Sequence, residues 1–507
     1  MTPSMQHATS NWLAIHARFR PDAEALYDVG TGRRWTYAAL HHDSLAWAAR
    51  LQAEGVGVGD RVALLALNRG ETFALLFACA ELGAVFFPMN WRLSPEELRW
   101  QLENSGAKVV FADDTHLSAD LGRPVYSLDA GPDADPATLG PTPGSQLDDP
   151  WVIMYTSGST GRPKGALLTH GQLHWNAINT VMACDLDTDC ATLTFTPLFH
   201  TGGLNCLSTP LFFRGGRVVL TPRLDPGESL DLVVDERVTH LMGVPTIYQM
   251  LADHPAFETA DLSCVRDALC GGAPLGLPLM ERYHARHIPL RQGFGMTEVG
   301  PNCFSMPADR ALEKMRGTGD PTEGPAGSCV GLPIGFIGMK LVRPDGSECD
   351  PGEAGELLLS GPVVCAGYWN NPDATAKSIQ HGWFSTGDVL SRDTDGFFYV
   401  RGRLKEMYIS GGENVYPAEV ESAIQQHPSV ALAAVVGVPD ARWGEVGRAF
   451  VELHPGATLD AVSLKTDLQA RLARFKIPKH FDFAASGGLP RTGSGKLDKP
   501  ALGRRPL

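Results

Sequence analysis

The chain is organised around one stretch, Thr156-Ser157-Gly158-Ser159-Thr160-Gly161-Arg162-Pro163-Lys164-Gly165. The apolar run at residues 152–155 precedes it and predicts a buried strand, and a helical pattern begins near His170. Its glycines let the backbone approach an anion closely, its hydroxyls add donors, and Lys164 adds a positive charge. A strand that leads into such a loop predicts a phosphate-binding site.

Two other interpretations of this stretch are weaker. A Walker A loop has four residues between its first glycine and the Gly-Lys pair, and a serine or threonine after the lysine. Here Arg162 and Pro163 separate Gly161 from Lys164, and Gly165 follows the lysine. A Ser/Gly-rich surface linker is the second alternative, because this composition is common in linkers. The position between a predicted strand and a helix favours the phosphate loop.

Length, charge and cysteine content limit the class of protein. A chain of 507 residues with 43% hydrophobic content predicts at least two domains with their own cores. A net charge of -14 argues against nonspecific nucleic-acid binding but allows a locally basic ATP site. The ten cysteines include no C-x-x-C pair, so we expect small buried hydrophobic side chains in a reducing compartment rather than a zinc site.

Hydropathy and the terminal residues predict a soluble cytoplasmic protein. Trp12, Ile15 and Phe19 have helical spacing, which predicts an amphipathic helix packed on a core rather than a signal peptide. No apolar run is long enough to span a membrane, and the C-terminal residues are not a Ser-Lys-Leu peroxisomal signal.

Alternating apolar runs and helical patterns predict an α/β fold with parallel-rich sheets. Strands are predicted at residues 62–67, 84–87, 108–112, 191–196, 218–220, 239–244, 265–270 and 288–292, and helices at residues 71–82 and 95–104. Residues 113–150 are expected to form mostly surface connection. Conspicuous loops follow three of the strands, at residues 200–203, 271–274 and 293–298, and ligands bind such sheets at the carboxyl ends of the strands.

The pattern changes towards the C-terminus. Short apolar runs separated by Pro-Asp-Gly and Pro-Gly-Glu turns predict a β-rich subdomain at about residues 328–403, within an N-terminal domain of residues 1–404. Residues 405–507 mix helical and strand patterns and predict a small α+β domain. We place the boundary between Leu404 and Lys405.

The ten-residue stretch resembles the phosphate loop of the adenylate-forming superfamily, which includes acyl-CoA synthetases, peptide-synthetase adenylation domains and luciferases. Other motifs that resemble the family follow in its order between residues 35 and 499. They are the aromatic/His loop at residues 197–203, Gly271-Gly272-Ala273-Pro274, Phe294-Gly295-Met296-Thr297-Glu298, Asp388 with Arg403, and the C-terminal signatures at residues 410–417 and 490–496. The closest resemblance is to acyl-CoA ligases of fatty or aryl acids.

The resemblance implies a two-step reaction. A carboxylate and ATP give acyl-AMP and pyrophosphate, and CoA then takes the acyl group as a thioester while AMP leaves. Because the carboxylate and the α-phosphate are both anionic, positive charge is required between them. The catalytic residues implied are Lys496 near these two groups, Thr297 at the α-phosphate, Glu298, His200 and Lys164. Glu298 and Thr156 are the expected Mg²⁺ ligands.

The same resemblance assigns the nucleotide site. Phe294 is expected to stack on adenine, where many relatives have tyrosine, and Asp388 and Arg403 are expected to bind the ribose hydroxyls. The residues expected to contact ATP or AMP are Thr156, Ser157, Gly158, Ser159, Thr160, Gly161, Lys164, Gly271, Gly272, Ala273, Pro274, Gly293, Phe294, Gly295, Met296, Thr297, Asp388, Arg403 and Lys496.

The resemblance also implies which residues contact the acyl group and CoA. The expected acyl pocket consists of His200, Leu204, Asn205, Met242, Val244, Gly272, Gly293, Val299 and Pro301. These residues are mostly apolar or small, which favours a neutral aliphatic or aromatic acid over a diacid or an amino acid. The C-terminal domain is expected to be mobile and to rotate about Lys405, so that Ser410, Gly411 and Gly412 line the path of CoA.

Three functions fit these observations. The first is an ATP-dependent acyl-CoA ligase that uses ATP, Mg²⁺ and CoA and acts on a fatty acid or, failing that, an aryl acid. The second is an adenylating enzyme that delivers the acyl group to a carrier protein, although no carrier domain is fused to the chain. The third, a non-catalytic relative, is disfavoured because Lys164, Glu298, Asp388, Arg403 and Lys496 are all present. The expected partners are small molecules, with no nucleic acid and no integral membrane segment, and a homodimer remains open.

Overall fold

The computed structural model describes residues 11–156, 163–410, 413–485, 487–491 and 497–506. Its strands are β1 Glu24–Asp28, β2 Arg33–Thr36, β3 Arg61–Leu65, β4 Val85–Pro88, β5 Val109–Ala112, β6 Tyr126–Ser127, β7 Pro150–Thr156, β8 Lys164–Thr169, β9 Ala191–Thr194, β10 Arg217–Leu220, β11 His240–Gly243, β12 Asp267–Cys270, β13 Leu290–Gly295, β14 Asn302–Ser305, β15 Cys329–Pro333, β16 Gly338–Val342, β17 Gly355–Ser360, β18 Ile379–Gln380, β19 Trp383–Arg392, β20 Phe398–Arg403, β21 Tyr408–Ser410, β22 Glu413–Val415, β23 Val430–Asp440, β24 Gly444–Leu453 and β25 His480–Ala484.

The helices lie between these strands. They are α1 Trp12–Phe19, α2 Tyr37–Ala53, α3 Glu71–Leu82, α4 Pro95–Ser105, α5 His170–Ala183, α6 Thr201–Gly203, α7 Thr209–Arg214, α8 Pro226–Asp235, α9 Pro245–Asp253, α10 Leu277–His284, α11 Ala311–Arg316, α12 Pro372–Ser378, α13 Pro417–Gln425, α14 Ala461–Gln469 and α15 Lys499–Gly503. A π-helical turn, Leu204–Ser208, joins α6 to α7. No helix within the described ranges is long and apolar enough to cross a membrane.

The first sheet has six strands in the order β6-β5-β3-β4-β7-β8. Its strands are parallel except for β8, which is antiparallel to β7 and pairs Lys164 with Thr156. Sequence analysis predicted a strand, the phosphate loop and then a helix, and it missed β8. The Lys-Gly pair at residues 164–165 looked like part of the loop, yet these residues form the start of the returning strand. β7 and β8 therefore form an antiparallel pair in which Thr156 and Lys164 are opposite each other.

The second sheet runs through 14 strands, and its centre is a parallel set in the order β13-β12-β11-β9-β10-β1. At one side the antiparallel strands β14 and β15 join this set to β20, β19, β17 and β16. The β-rich region predicted at residues 328–403 thus continues the parallel sheet. β13 also extends to Gly295, because Gly293 pairs with Ser305 and Gly295 with Asn302, so the expected loop at residues 293–298 begins inside a strand.

The third sheet belongs to the C-terminal part of the chain, with the order β22-β21-β24-β23 and β25 beside β24. Helices α13 and α14 cover it around a separate core that includes Tyr408, Ile424 and Val435. The α/β fold class, with a large N-terminal part and a small α+β C-terminal part, is confirmed.

Local signals set the position of the helices that border the site. Helix α4 begins at a capping box, in which the Ser94 hydroxyl accepts from Glu97 N and the Glu97 carboxylate accepts from Ser94 N. It ends at Gly106 in the left-handed region, where glycine carries no steric cost. Helix α1 forms as predicted, but Trp12 and Leu13 are its buried residues while Ile15 and Phe19 are 52% and 79% exposed. The expected buried face was therefore wrong in part.

All ten cysteines lie in the described part of the chain and are free thiols, and eight of them are buried. Burial raises the pKa of each thiol, including those of the half-buried Cys264 and Cys349. This agrees with the prediction that they act as small hydrophobic side chains.

A buried ion pair joins the two strands that lead to the site. Arg291 of β13 donates from Nε to Oδ1 of Asp267 of β12 at 2.6 Å, and the two residues are 4% and 6% exposed. Arg291 also donates to the Met306 carbonyl at 2.8 Å. The pair therefore holds two neighbouring strands through groups that have almost no contact with water.

We expect Asp267→Ala to lower the free energy of unfolding by about 3 kcal/mol, because it leaves Arg291 buried without its counter-ion. Denaturant unfolding followed by tryptophan fluorescence is the measurement. Glu281→Ala is the matched control, because Glu281 pairs with Arg316 at 2.6 Å on the surface. Loss of this exposed ion pair should lower the free energy of unfolding by less than about 1 kcal/mol. Equal effects of the two variants would contradict the structural role of the buried pair.

Candidate functional site

Segments from several strands meet at one edge of the second sheet. His200 follows β9, the turn at residues 271–274 follows β12, and Thr297 and Glu298 follow β13. Because β9, β12 and β13 belong to the parallel set, their carboxyl ends lie at the same edge. The candidate site is therefore built where the sequence analysis expected it.

The turn at residues 271–274 is held by a side chain that sequence reasoning missed. Gln292 is 5% exposed, and its Nε2 donates to the carbonyls of Gly293 at 2.8 Å and Ala273 at 3.4 Å. Its Oε1 accepts from Leu275 N at 2.7 Å. Gly272 has a φ of 77°, in the left-handed region. The position of Gln292 at the end of the strand predicted at residues 288–292, directly before a site loop, was the signal that could have identified this residue.

Phe294 and its neighbours lie along β13. The Phe294 ring packs edge-to-face on Phe304, with centroids 5.8 Å apart, and Met296 belongs to the same apolar cluster. A side chain at Gly295 would place its Cβ 1.8 Å from the Pro301 carbonyl oxygen, so only glycine fits. The close approach of the β13–β14 connection thus fixes Phe294 against the sheet.

Asp388 and Arg403 face each other across β19 and β20. Arg403 Nε lies 2.7 Å from Asp388 Oδ1, and Asp388 is only 3% exposed while the Arg403 side chain is 58% exposed. Burial raises the pKa of Asp388 to about 6; Arg403 opposes this shift, and the nearby Glu406 and Glu298 add to it. The structure thus brings a buried carboxylate of the second sheet's antiparallel half close to the end of β13.

Tyr368, which sequence analysis did not identify, lies between Glu298 and Lys164 and contacts both. The Tyr368 hydroxyl donates to Glu298 Oε1 at 3.0 Å, and Lys164 Nζ lies 4.9 Å from the centroid of the Tyr368 ring. Burial, and then the Glu298 charge, raise the pKa of Tyr368, so the phenol stays protonated and donates. Thr156 Oγ1 donates to the Lys164 carbonyl at 3.3 Å.

These residues fit a magnesium–phosphate complex. The described residues contain no group of three or more His, Cys, Asp or Glu side chains that could hold a metal alone. Mg²⁺ bound with a nucleotide usually takes one or two carboxylates together with phosphate oxygens and water. Glu298 supplies one such carboxylate, with one of its oxygens occupied by Tyr368. Thr156 supplies a hydroxyl oxygen at the start of the phosphate loop.

The expected acyl-pocket residues do not all line open space. Leu204, Asn205 and Val299 are fully buried, and Asn205 Nδ2 donates to Thr201 Oγ1 at 3.3 Å within the core. Val244 lies beside Gly272, whose added Cβ would be 3.5 Å from Val244 Cγ1. The remaining candidates are distributed around the strand ends: His200 at the start of α6, Gly293 on β13, and Pro301 between β13 and β14.

Met242 lines a small cavity between β9 and the π-helical turn. The cavity has room for roughly one water molecule and is lined by Thr192, Leu193, Thr194, Thr196, Gly202, Gly203, Leu207, Ser208 and Met242. Thr194 and Ser208 share a hydrogen bond of 3.0 Å. Thr196 is 8% exposed, and its Oγ1 has no hydrogen-bond partner among the described residues. The cavity therefore contains a hydroxyl that makes no hydrogen bond to the described residues.

Several expected residues lie outside the described residues. They are Ser157, Gly158, Ser159, Thr160 and Gly161 of the phosphate loop, Gly411 and Gly412 of the CoA path, and Lys496. Ser410 ends β21 and is 5% exposed, and Lys405 lies on the surface between β20 and β21. Their roles remain predictions.

Family models, individual similar proteins and solved structures all match the chain over most of its length. A family model described as AMP-binding enzyme matches residues 13–369, and one described as AMP-binding enzyme C-terminal domain matches residues 419–496. Feruloyl-CoA synthase of Amycolatopsis sp is 44% identical and aligns over 98% of both chains. Indoleacetate–CoA ligase of Aromatoleum aromaticum is 38% identical, over 97% of this chain and 96% of its own. The solved structure of o-succinylbenzoate coenzyme A synthetase from Bacillus subtilis with ATP and magnesium has a TM-score of 0.87 and 32% identity, over 97% of this chain and 99% of that one.

The raised pKa of Asp388 predicts a pH dependence of nucleoside binding. Ribose hydroxyls donate to an ionised carboxylate, so affinity for adenosine should be full above the pKa of about 6 and fall as the pH drops through it. We expect adenosine to bind about tenfold more weakly near pH 5 than near pH 7.5. Adenosine is the probe because it has no phosphate to titrate in this range. Calorimetric titration is the measurement.

Asp388→Asn is the control for this dependence. The amide still accepts a hydrogen bond but does not ionise in this range, so its weaker binding should be nearly independent of pH. An unchanged pH profile in Asp388→Asn would assign the dependence to another group.

Proposed function

The chain belongs to the family of AMP-binding enzymes, and from this premise we propose that it is an ATP-dependent ligase of aryl acids and CoA. It converts a carboxylic acid to acyl-AMP with release of pyrophosphate, and then forms the acyl-CoA thioester with release of AMP. The observation that carries the proposal is the arrangement of Lys164, Tyr368 and Glu298 beside the buried Asp388.

The nucleotide is proposed to lie across the ends of β12, β13 and β19. Asp388 accepts hydrogen bonds from the ribose hydroxyls, and Arg403, already aligned with it at 2.7 Å, adds donors. Phe294 stacks on adenine beside the turn at residues 271–274, which Gln292 holds. Thr297 contacts the α-phosphate at the end of β13. Support for these roles comes from the burial and hydrogen bonds around each side chain.

Charge neutralisation is proposed to come from three sources. Lys164 neutralises phosphate charge at the start of β8, and Lys496 lies near the carboxylate and α-phosphate. Glu298 and Thr156 would hold Mg²⁺ together with the nucleotide, and the bound ion would reduce the negative charge on the leaving pyrophosphate. The role of Lys496 rests on its sequence motif, because this residue lies outside the described residues.

We propose an aryl acid in place of the fatty acid that the sequence favoured. Feruloyl, indoleacetyl and o-succinylbenzoyl groups, named for three similar proteins, all contain an aromatic ring. The cavity at Met242 also includes three threonines and a serine, whereas a long aliphatic tail requires a mainly apolar channel. The cavity has room for about one water molecule, so binding of a ring requires the flexible Met242 side chain to move and enlarge it. A polar ring substituent would then reach the Thr196 hydroxyl.

The C-terminal part is proposed to change its orientation between the two steps, about Lys405. Its two signatures, at residues 410–417 and 490–496, must act in turn on one site. The hydrogen bonds from α13 to the larger part include those of Ser422 Oγ and Gln426 Nε2 to the single carbonyl of Ala326, at 3.1 and 3.4 Å. Contacts concentrated on one carbonyl can be exchanged at modest cost, which is consistent with such a rotation.

A panel of acids tests the function and the substrate class together. We expect ferulate, 4-hydroxycinnamate and indoleacetate to release pyrophosphate from ATP with a kcat/KM at least about tenfold above that of aliphatic acids of similar length. Omission of CoA should stop thioester formation but not the first turnover of acyl-AMP. Preference for aliphatic acids would contradict the aryl assignment, and no CoA consumption with any acid would favour a carrier protein as acceptor.

Thr196→Val sharpens this test. Valine keeps the shape but loses the hydroxyl, so kcat/KM for 4-hydroxycinnamate should fall about fivefold relative to that for cinnamate, which lacks the ring hydroxyl. Thr221→Val is the matched control, because Thr221 is 1% exposed but does not line the cavity. An equal change for both acids would remove Thr196 from substrate recognition.

Lys496→Ala should separate the two half-reactions. Loss of the positioned charge should slow acyl-AMP formation by about a hundredfold or more. Thioester formation from supplied acyl-AMP should be largely unaffected, because that step does not bring two anions together. Single-turnover assays of each step are the measurement, with Lys479→Ala, an exposed lysine paired with Asp440, as control. Near-normal adenylation by Lys496→Ala would show that its assigned role is wrong.

A further inference from the structure

Residues 365–370, called the clamp segment below, contact both sides of the candidate phosphate site. On one side, Cys365 N donates to the Glu298 carbonyl at 2.7 Å. On the other side the segment runs alongside β8: Leu167 N donates to the Gly367 carbonyl at 2.9 Å, and Trp369 N donates to the Gly165 carbonyl at 2.7 Å. The clamp segment therefore links the strand that starts at Lys164 to the backbone of Glu298.

Within the clamp segment, the Tyr368 side chain makes the same link between functional groups. Its hydroxyl donates to one carboxylate oxygen of Glu298 at 3.0 Å. The Lys164 ammonium lies 4.9 Å from the centroid of the Tyr368 ring, within the range of a cation–π interaction. One side chain thus contacts both the candidate metal ligand and the phosphate-loop lysine.

The outer end of the clamp segment is anchored to helix α4. Trp369 Nε1 and the Asn370 side-chain amide both donate to the Asn104 carbonyl, at 3.0 and 2.8 Å. Carbonyls in the last turn of a helix have no partner within it, so these bonds satisfy an acceptor that the helix leaves open. Arg61 adds a contact 5.3 Å from the centroid of the Trp369 ring. The anchor prevents the segment from moving freely.

We propose that Tyr368 is a positioning residue that orients the Glu298 carboxylate towards the metal–phosphate complex. This role rests on the proposed function of the site. A glutamate side chain has several rotatable bonds, and holding one oxygen restricts the direction of the other. Partners of this kind, which hydrogen-bond to a metal ligand without touching the metal, commonly change metal affinity by about tenfold or more.

Tyr368→Phe tests the role, since it keeps the ring under Lys164 and removes only the hydroxyl. The probe is a non-hydrolysable ATP analogue titrated with Mg²⁺ in a calorimeter, without acid or CoA. We expect the Mg²⁺ concentration needed for half-maximal binding to rise about tenfold. Binding of adenosine, which carries no phosphate, should be unchanged.

Tyr155→Phe is the matched control, because the Tyr155 hydroxyl donates to Asn104 Oδ1 at 2.6 Å in the same wall but does not reach Glu298. Its Mg²⁺ requirement should equal that of the wild type. Adding Tyr368→Phe to Glu298→Gln should raise the Mg²⁺ concentration for half-maximal binding no further, because Tyr368 acts through the Glu298 carboxylate. We do not expect either Glu298→Gln or the double variant to reach half-maximal binding at the wild-type Mg²⁺ concentration.

Three results would overturn the positioning role. They are a wild-type Mg²⁺ requirement in Tyr368→Phe, an equal rise in Tyr155→Phe, or fully additive losses in the double variant with Glu298→Gln. A wild-type protein that binds the ATP analogue without any response to Mg²⁺ would instead overturn the proposed metal site, and this role with it. Adenosine binding by the same samples reports whether the site is folded.

Discussion

The antiparallel pairing of β7 with β8 is the constraint on which the candidate site depends. Because Thr156 and Lys164 are paired neighbours, the residues between them must leave and return at the same place on the sheet. The two residues that border the expected phosphate loop are therefore fixed next to each other. The clamp segment pairs with the free edge of β8, and Glu298 is held to the clamp segment in turn. The position of the candidate metal ligand therefore follows from this pairing.

Three negatively charged side chains lie close to one another in the candidate site. Glu298, Asp388 and Glu406 are close enough for the two glutamates to raise the pKa of Asp388, while Arg403 supplies only part of the compensation. Burial and the neighbouring negative charges both disfavour ionised Asp388, so its ionised form costs free energy in the absence of a ligand. In the proposed function, a nucleotide bound with a cation would offset that cost by placing hydroxyl donors at Asp388 and positive charge at Glu298. On that proposal, the site is organised for its ligand rather than for maximal stability.

Much of the fold and the site followed from the sequence where the signal was local. Helix α3 has the predicted bounds, and Asp388 and Arg403 pair as adjacent residues of two strands. Contacts that depend on tertiary structure were missed. Nothing near Tyr368 in the sequence indicates that it lies between Lys164 and Glu298, which are separated from it by 204 and 70 positions. The family resemblance implied Leu204 and Asn205 as acyl-pocket residues, and in the structure both side chains are fully buried at the π-helical turn.

The state of the thiols has a practical consequence for testing the proposed rotation of the C-terminal part. Thiolates, not thiols, react with maleimides; burial raises the pKa of all ten native thiols, and eight of the ten side chains are also buried. A cysteine introduced on an exposed surface, for instance at Val462 of α14, which is 76% exposed, would therefore be labelled first. Together with a second introduced site on α10, it would carry a donor and acceptor dye without removal of the native residues. The chain is thus suited to single-molecule energy-transfer measurements on the unaltered background.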